Sequence, residues 1–196
     1  MRLAIKYNQP VRMSTKGTSF LFDDYLDVIA EAPHLFWVAF SIITPDDNLL
    51  EQVDRRAPNA TRRLQAMAKL SKLGVKTALR FRPMLPGLSD ATPSYPHAYK
   101  TLIEKAKDAG AVAISYEVGF VPGAQTQDTR WRWDELSRIL HVPFNELYRK
   151  FGKTMACMRP PAAWTEDIMH AVAEVGHANE MTLGVSDPVW KQLTDT

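Results

Sequence analysis

A chain of 196 residues, 45% hydrophobic and 23% charged, has the size and make-up of one ordinary globular domain. It holds no run of about 18 apolar residues, which excludes a membrane-spanning helix, and its 24 basic against 22 acidic side chains are too even to argue for nucleic acid or a membrane surface. One cysteine, Cys157, excludes an internal disulfide and any cysteine-built zinc or iron–sulfur site made by this chain alone.

The elements follow in chain order. Met1 to Asn8 has no long apolar stretch followed by small residues, so no signal peptide is expected and the default location is cytoplasmic. Residues 11–15 form a short strand candidate that ends at Lys16-Gly17, and residues 20–31 carry Phe20, Leu21, Tyr25, Val28 and Ile29 on one helical face. Residues 35–43 are almost continuously apolar, as a strand covered on both faces requires. A helix is expected to open with Pro58 in its first turn, carry Leu64, Met67, Ala68 and Leu70, and stop at Gly74. A strand over 75–82, a helix over 96–109 ended by Gly110, and a strand over 111–118 come next. Helices that end in glycine before apolar strands signal βα alternation and a parallel sheet or barrel.

After Pro122-Gly123 the character changes. Residues 124–130 read as a polar loop, and 132–140 and 143–151 as short helices, the second opened by Pro143. A helix over 165–175 has Thr165 as N-cap and Gly176 as stop, and Met181 to Val185 is a last short strand. No long flexible linker separates these parts. The five histidines show no HxH or HExxH spacing, so no zinc site is expected.

Four segments in order carry a family resemblance: Ser14-Thr15-Lys16-Gly17-Thr18; Phe40-Ser41-Ile42-Ile43-Thr44-Pro45-Asp46-Asp47; Ala57-Pro58 with Arg62-Arg63-Leu64; and Arg80-Phe81-Arg82-Pro83-Met84-Leu85-Pro86-Gly87-Leu88-Ser89-Asp90. Together they resemble radical S-adenosylmethionine (SAM) proteins related to spore photoproduct lyase, well over residues 9–120 and again at Met181 to Pro188. The resemblance implies an α/β fold, a partial (β/α) barrel of the radical SAM type with a mostly parallel sheet and outer helices. Residues 1–123 would form that partial barrel, and 124–196 a helical carboxyl-terminal extension with a last strand. It also implies SAM bound to a [4Fe–4S] cluster, and lyase-like chemistry with nucleic acid as a candidate substrate, in the manner of a DNA-repair relative. The family's CxxxCxxC loop and first two βα units have no counterpart here; the readings are a separate polypeptide that supplies the cluster as a partner, a lost exon-like fragment or a gene truncation.

The resemblance makes Thr15, Lys16, Ser41, Arg80 and Glu117 the candidate cofactor residues, with no catalytic residue or metal ligand assigned. Lys16 would meet the SAM carboxylate or ribose, with Thr15 adding a hydroxyl; the plainer reading is a solvated lysine. Ser41 would contact the ribose, or bond a neighbouring carbonyl. Arg80 lies in an apolar run where an unpaired charge is expensive. It would hold the SAM carboxylate by two prongs, or pair with Asp54 or Glu117. Glu117 would hold a ribose or adenine edge, or an arginine. Asp90 reads as a loop cap, Asp54 and Arg62 as a structural pair, and Cys157 as a buried thiol. Over 130–159, seven basic residues (Arg130, Arg132, Arg138, Arg149, Lys150, Lys153, Arg159) face three acidic ones, with Trp131 and Trp133 interleaved. That pattern suits a nucleic-acid backbone and its bases, or a helical layer that packs its tryptophans inward. Three overall readings stand: a radical SAM protein completed by another chain, a non-catalytic remnant that binds a nucleotide, nucleic acid or protein, and an unrelated small α/β protein that is a hydrolase or isomerase on a half-barrel.

Overall fold

The computed structural model describes residues 1–19, 23–122, 127–150 and 157–194. Phe20 and Leu21 of the expected helix, 124–126 of the expected loop and Lys153 lie outside the described residues, as do the side chains of Arg130, Trp131, Arg149, Lys150 and Cys157.

Five parallel strands form the main sheet: β1 (Val11–Thr15), β2 (Phe36–Ser41), β3 (Lys76–Met84), β4 (Ala111–Val118) and β8 (Thr182–Val185), side by side in the order β1-β2-β3-β4-β8. Each crossover carries helix: α2 (Asp23–Ala30) from β1 to β2, α3 (Asp47–Val53) and α4 (Ala60–Lys72) from β2 to β3, and α5 (Ala98–Asp108) from β3 to β4. The expected α/β architecture with a mostly parallel sheet and outer helices is therefore present. The last crossover is long. It passes through β5 (Val121–Pro122), α6 (Gln127–Leu140), α7 (Phe144–Leu147), β6 (Arg149–Lys150), β7 (Cys157–Arg159) and α8 (Ala162–Ala178) before β8. β8 pairs with β4, so the last strand is an integral member of the sheet. Short α1 (Arg2–Lys6) precedes β1.

The two sheet faces differ because side chains alternate along a strand. One face, covered by helices, holds Phe36, Val38, Phe40, Leu79, Phe81, Ile114, Tyr116 and Leu183, packed against Ile29, Met67, Leu70, Leu102, Ile103, Ile168 and Val172. A second cluster, Leu85, Leu88, Trp133, Ile139, Leu140, Phe144 and Tyr148, seats α6 and α7 over the carboxyl ends of the strands. Within it the Trp133 ring lies 5.1 Å from Phe144 and 4.8 Å from Tyr148.

Four local expectations are corrected. Pro58 lies outside the first turn of α4, because Asn59 is the N-cap and its side chain accepts the Arg62 N–H at 3.0 Å. The helix expected over 143–151 ends at Leu147, where Tyr148 turns to extended backbone and its ring enters the aromatic cluster. Thr165 is not a cap: α8 begins right after Pro161, and the Thr165 N–H already donates to Pro161 O at 2.9 Å. Gly176 does not stop α8 either. A Cβ there would sit 2.5 Å from Leu183 Cδ2 and 3.3 Å from Ile114 Cδ1, so glycine lets the helix lie close on the sheet. α3, between Thr44-Pro45 and Pro58, was not expected from the sequence, although Asp46 caps it by accepting the Leu49 N–H at 3.2 Å.

Candidate functional site

The open face of the sheet is lined by small side chains. Ser14, Ala39, Ala78, Ala113 and Thr182 form one row across the five strands. Their size leaves a cavity of about 680 Å³. At the amino-terminal end of this face Arg12 stacks on Trp37, with the guanidinium carbon 5.2 Å from the ring centre.

One level nearer the carboxyl ends, Ser41, Arg80, Ser115 and Gly184 are in register. Lys16 directly follows Thr15, which pairs with Phe40, so its backbone stands level with Ser41. The fold thus brings Lys16, Ser41 and Arg80 to one height on adjacent strands. Arg80 Nη1 donates to Ser41 Oγ at 3.2 Å. The two acids offered as Arg80 partners are engaged elsewhere: Asp54 takes Lys16 and Arg63, and Glu117 takes Arg82 at 3.5 Å. Thr15 alternates onto the opposite face from Ser14, and its hydroxyl oxygen accepts the Gly17 N–H at 2.8 Å.

Positive charge is concentrated here. Burial and then the adjoining Arg82 charge pull the Arg80 pKa below its usual value, and Glu117 opposes that shift. Arg82 Nη1 donates to Ser186 Oγ at 2.6 Å, while its buried Nε has no hydrogen-bond partner among the described residues. Crowded guanidinium groups with an unused buried donor favour an anionic ligand in the cavity. Arg82 was not singled out from the sequence, although the period of two that places Arg80 on the open face places Arg82 there as well.

Lys16 turns its ammonium toward a second cavity of about 670 Å³ over the strand tips, lined by Ile43, Val53, Leu85, Arg56, Arg132 and Glu135 among others. Its Nζ lies 3.0 Å from Asp54 Oδ2. The same oxygen accepts from Arg63 Nη2 at 3.0 Å. Arg63, only 1% exposed, also donates Nε to Pro58 O at 2.6 Å and Nη1 to Ser41 O at 2.7 Å. Burial raises the Asp54 pKa, but the hydrogen bonds and charges of Lys16 and Arg63 outweigh it and hold the carboxyl below its usual range. The partner of Asp54 is therefore Arg63, not the expected Arg62. The signal was present: Ala60, Arg63, Met67 and Leu70 share the 3-4-3 spacing of the buried stripe.

Asp90 closes the turn that precedes it rather than capping a following one: it accepts from the backbone of Gly87 and Ala91, each at 2.8 Å, and from Trp164 Nε1 at 2.6 Å. In the basic stretch, Trp133 is buried and offers no stacking face, and Glu135 pairs with Arg55.

Residues 1–95 match the family model of the Radical SAM superfamily. No curated protein sequence is similar to the chain beyond chance. Among solved structures, the fold is similar to "Spore photoproduct lyase complexed with dinucleoside spore photoproduct", with a TM-score of 0.60 at 13% identity over 90% of this chain and 50% of that one. A mutant of the same enzyme with bound AdoMet and dinucleoside spore photoproduct gives 0.58 at 12% identity with the same coverage. At such identities the likeness is one of fold, and the chain spans about half the length of those it matches.

Proposed function

Because residues 1–95 match the Radical SAM superfamily model, we propose that the chain binds S-adenosylmethionine on the open face of its sheet, as part of a lyase-like system in which another polypeptide supplies the cluster ligands. The observation that carries this reading is the row Ser41, Arg80, Ser115 and Gly184 at the carboxyl ends of parallel strands, where barrel enzymes present their ligand-binding side chains, with Lys16 one residue past the end of β1 and facing the neighbouring cavity. One of the similar structures has AdoMet bound. The residues suit such a ligand: the small side chains leave room, and Arg80 and Arg82 offer charge-assisted donors to a carboxylate. Ser41 would take a ribose hydroxyl, Lys16 the outer edge of the ligand, and Glu117 an adenine or ribose edge. Thr15, on the far side of the strand, contributes the turn at Gly17.

The cluster is a different matter. One cysteine cannot supply three thiolates, so this chain does not fit the [4Fe–4S] group. When bound, SAM supplies the chemistry of the reaction; this chain's part is to orient it and exclude water. Among the described residues, the two strands at the sheet edges, β1 and β8, have one unpaired side each. An open β1 edge is a ready seat for the strands of a cluster-bearing partner. The lone cysteine equally favours a second reading, a non-catalytic protein that holds a nucleotide or nucleic acid through Arg56, Arg132 and the open-face arginines.

Calorimetry with SAM tests the proposal. Saturable binding that weakens in Lys16→Ala, Ser41→Ala and Arg80→Ala is expected. Absence of binding, both alone and with a cluster-bearing partner under anaerobic conditions, overturns it.

A further inference from the structure

Asp54 and Arg63 join residues that the sequence offers as separate contacts. Lys16 Nζ and Arg63 Nη2 share Asp54 Oδ2, Arg63 Nη1 holds the Ser41 carbonyl, and Ser41 Oγ accepts from Arg80. The chain of contacts crosses β1, α3, α4, β2 and β3. We infer that Asp54 is the positioning residue for Lys16: clamped by buried Arg63, it fixes the ammonium at the tip of β1 and so prepares it for an anionic ligand. The inference rests on the reading of Lys16 given above.

Three facts of geometry and charge support it. Lys16 is more than half exposed, so without an anchor its long side chain would sample many rotamers, and a ligand would have to order it. Asp54 cannot follow Lys16 away, because Arg63, which it bonds, is itself held in the interior by the carbonyls of Pro58 and Ser41. The trio of Lys16, Asp54 and Arg63 keeps a net charge of +1, so the anchor does not cancel the attraction for an anion. Removal of the carboxylate charge would leave two cations facing one neutral group, and repulsion from immobile Arg63 would drive Lys16 out to solvent. Loss of Asp54 is therefore expected to weaken anion binding, although it makes the site more positive.

The test is a double-mutant cycle read by calorimetry with SAM. Asp54→Asn should lower affinity about tenfold in the unsubstituted chain and have no further effect in the Lys16→Ala background. Asp54→Glu keeps the counter-charge that Arg63 needs and so preserves the fold where Asn fails. Its anchor is displaced by one methylene, and a severalfold loss is expected, again only when Lys16 is present. Equal losses with and without Lys16 would mean that Asp54 acts through the structure around Arg63, and would overturn the inference, as would unchanged or tighter binding in both Asp54 variants. No binding by the unsubstituted chain, or an unaltered affinity in Lys16→Ala alone, would remove the reading of Lys16 and the inference with it. That failure is recognisable before any Asp54 variant is made.

Discussion

The two faces of one sheet divide the work of this protein. Phe40, Leu79, Ile114 and Leu183 form a row against the helices, and one step along the same strands Ser41, Arg80, Ser115 and Gly184 form a row on the open side. The helix-covered row is large, apolar and fully buried. The open row is small or charged, and Arg80, Ser115 and Gly184 border a cavity while Ser41 is buried. Alternation lets a five-strand sheet hold its core with one set of side chains and present chemistry with the other, so the two sets should respond differently to substitution.

The largest effect is expected on the helix side. Phe81→Ala should cost about 3–5 kcal/mol, read from urea denaturation, because it opens a cavity in the centre of the main core. A small loss there would mean that the helices are not seated on the sheet as described. On the open side, Arg80→Ala should change the denaturation midpoint little while removing about 1.5–3 kcal/mol of SAM binding, the usual range for a charge-assisted hydrogen bond. If stability falls as far as in Phe81→Ala, the contrast between the faces fails.

A pH series sharpens the comparison at the strand tips. The folded Asp54 carboxyl titrates below its unfolded value of about 4, so its contribution to stability is complete above that pH and is lost as the pH falls through the lower folded value. Thermal denaturation between pH 6 and 3 should show that loss, and Asp54→Asn should lack the corresponding part of it. The smallest effect is expected in the aromatic cluster. Among the described residues the buried Tyr148 hydroxyl has no hydrogen-bond partner, and burial pushes its pKa well up. Tyr148→Phe should therefore leave stability within about 0.5 kcal/mol of the unsubstituted chain or raise it. A marked loss would reveal a partner for that oxygen.

The legible parts of the sequence were those governed by local period. Residues 111–118 read as a strand and are β4, and the apolar run at 35–43 contains β2. Lys16, Ser41 and Arg80 were found through short motifs at strand ends, and the register places them level. Local signals failed where packing overrode them. Gly176 carries the mark of a helix end, yet it lies inside α8 because Leu183 leaves no room for a Cβ. Pro143 does open a helix, but the demand of the aromatic cluster for Tyr148 ends it after one turn.

By itself, the sequence determined the alternation of strands and helices and the strand tips that bear polar residues, because each depends on spacing within one segment. Only the tertiary structure decided that Asp54 pairs with Arg63 and Lys16, that Arg80 bonds Ser41 and that Glu117 goes to Arg82. A charged side chain takes whichever partner the packing of distant segments brings within about 3 Å, and the spacing of residues along the chain does not fix that distance.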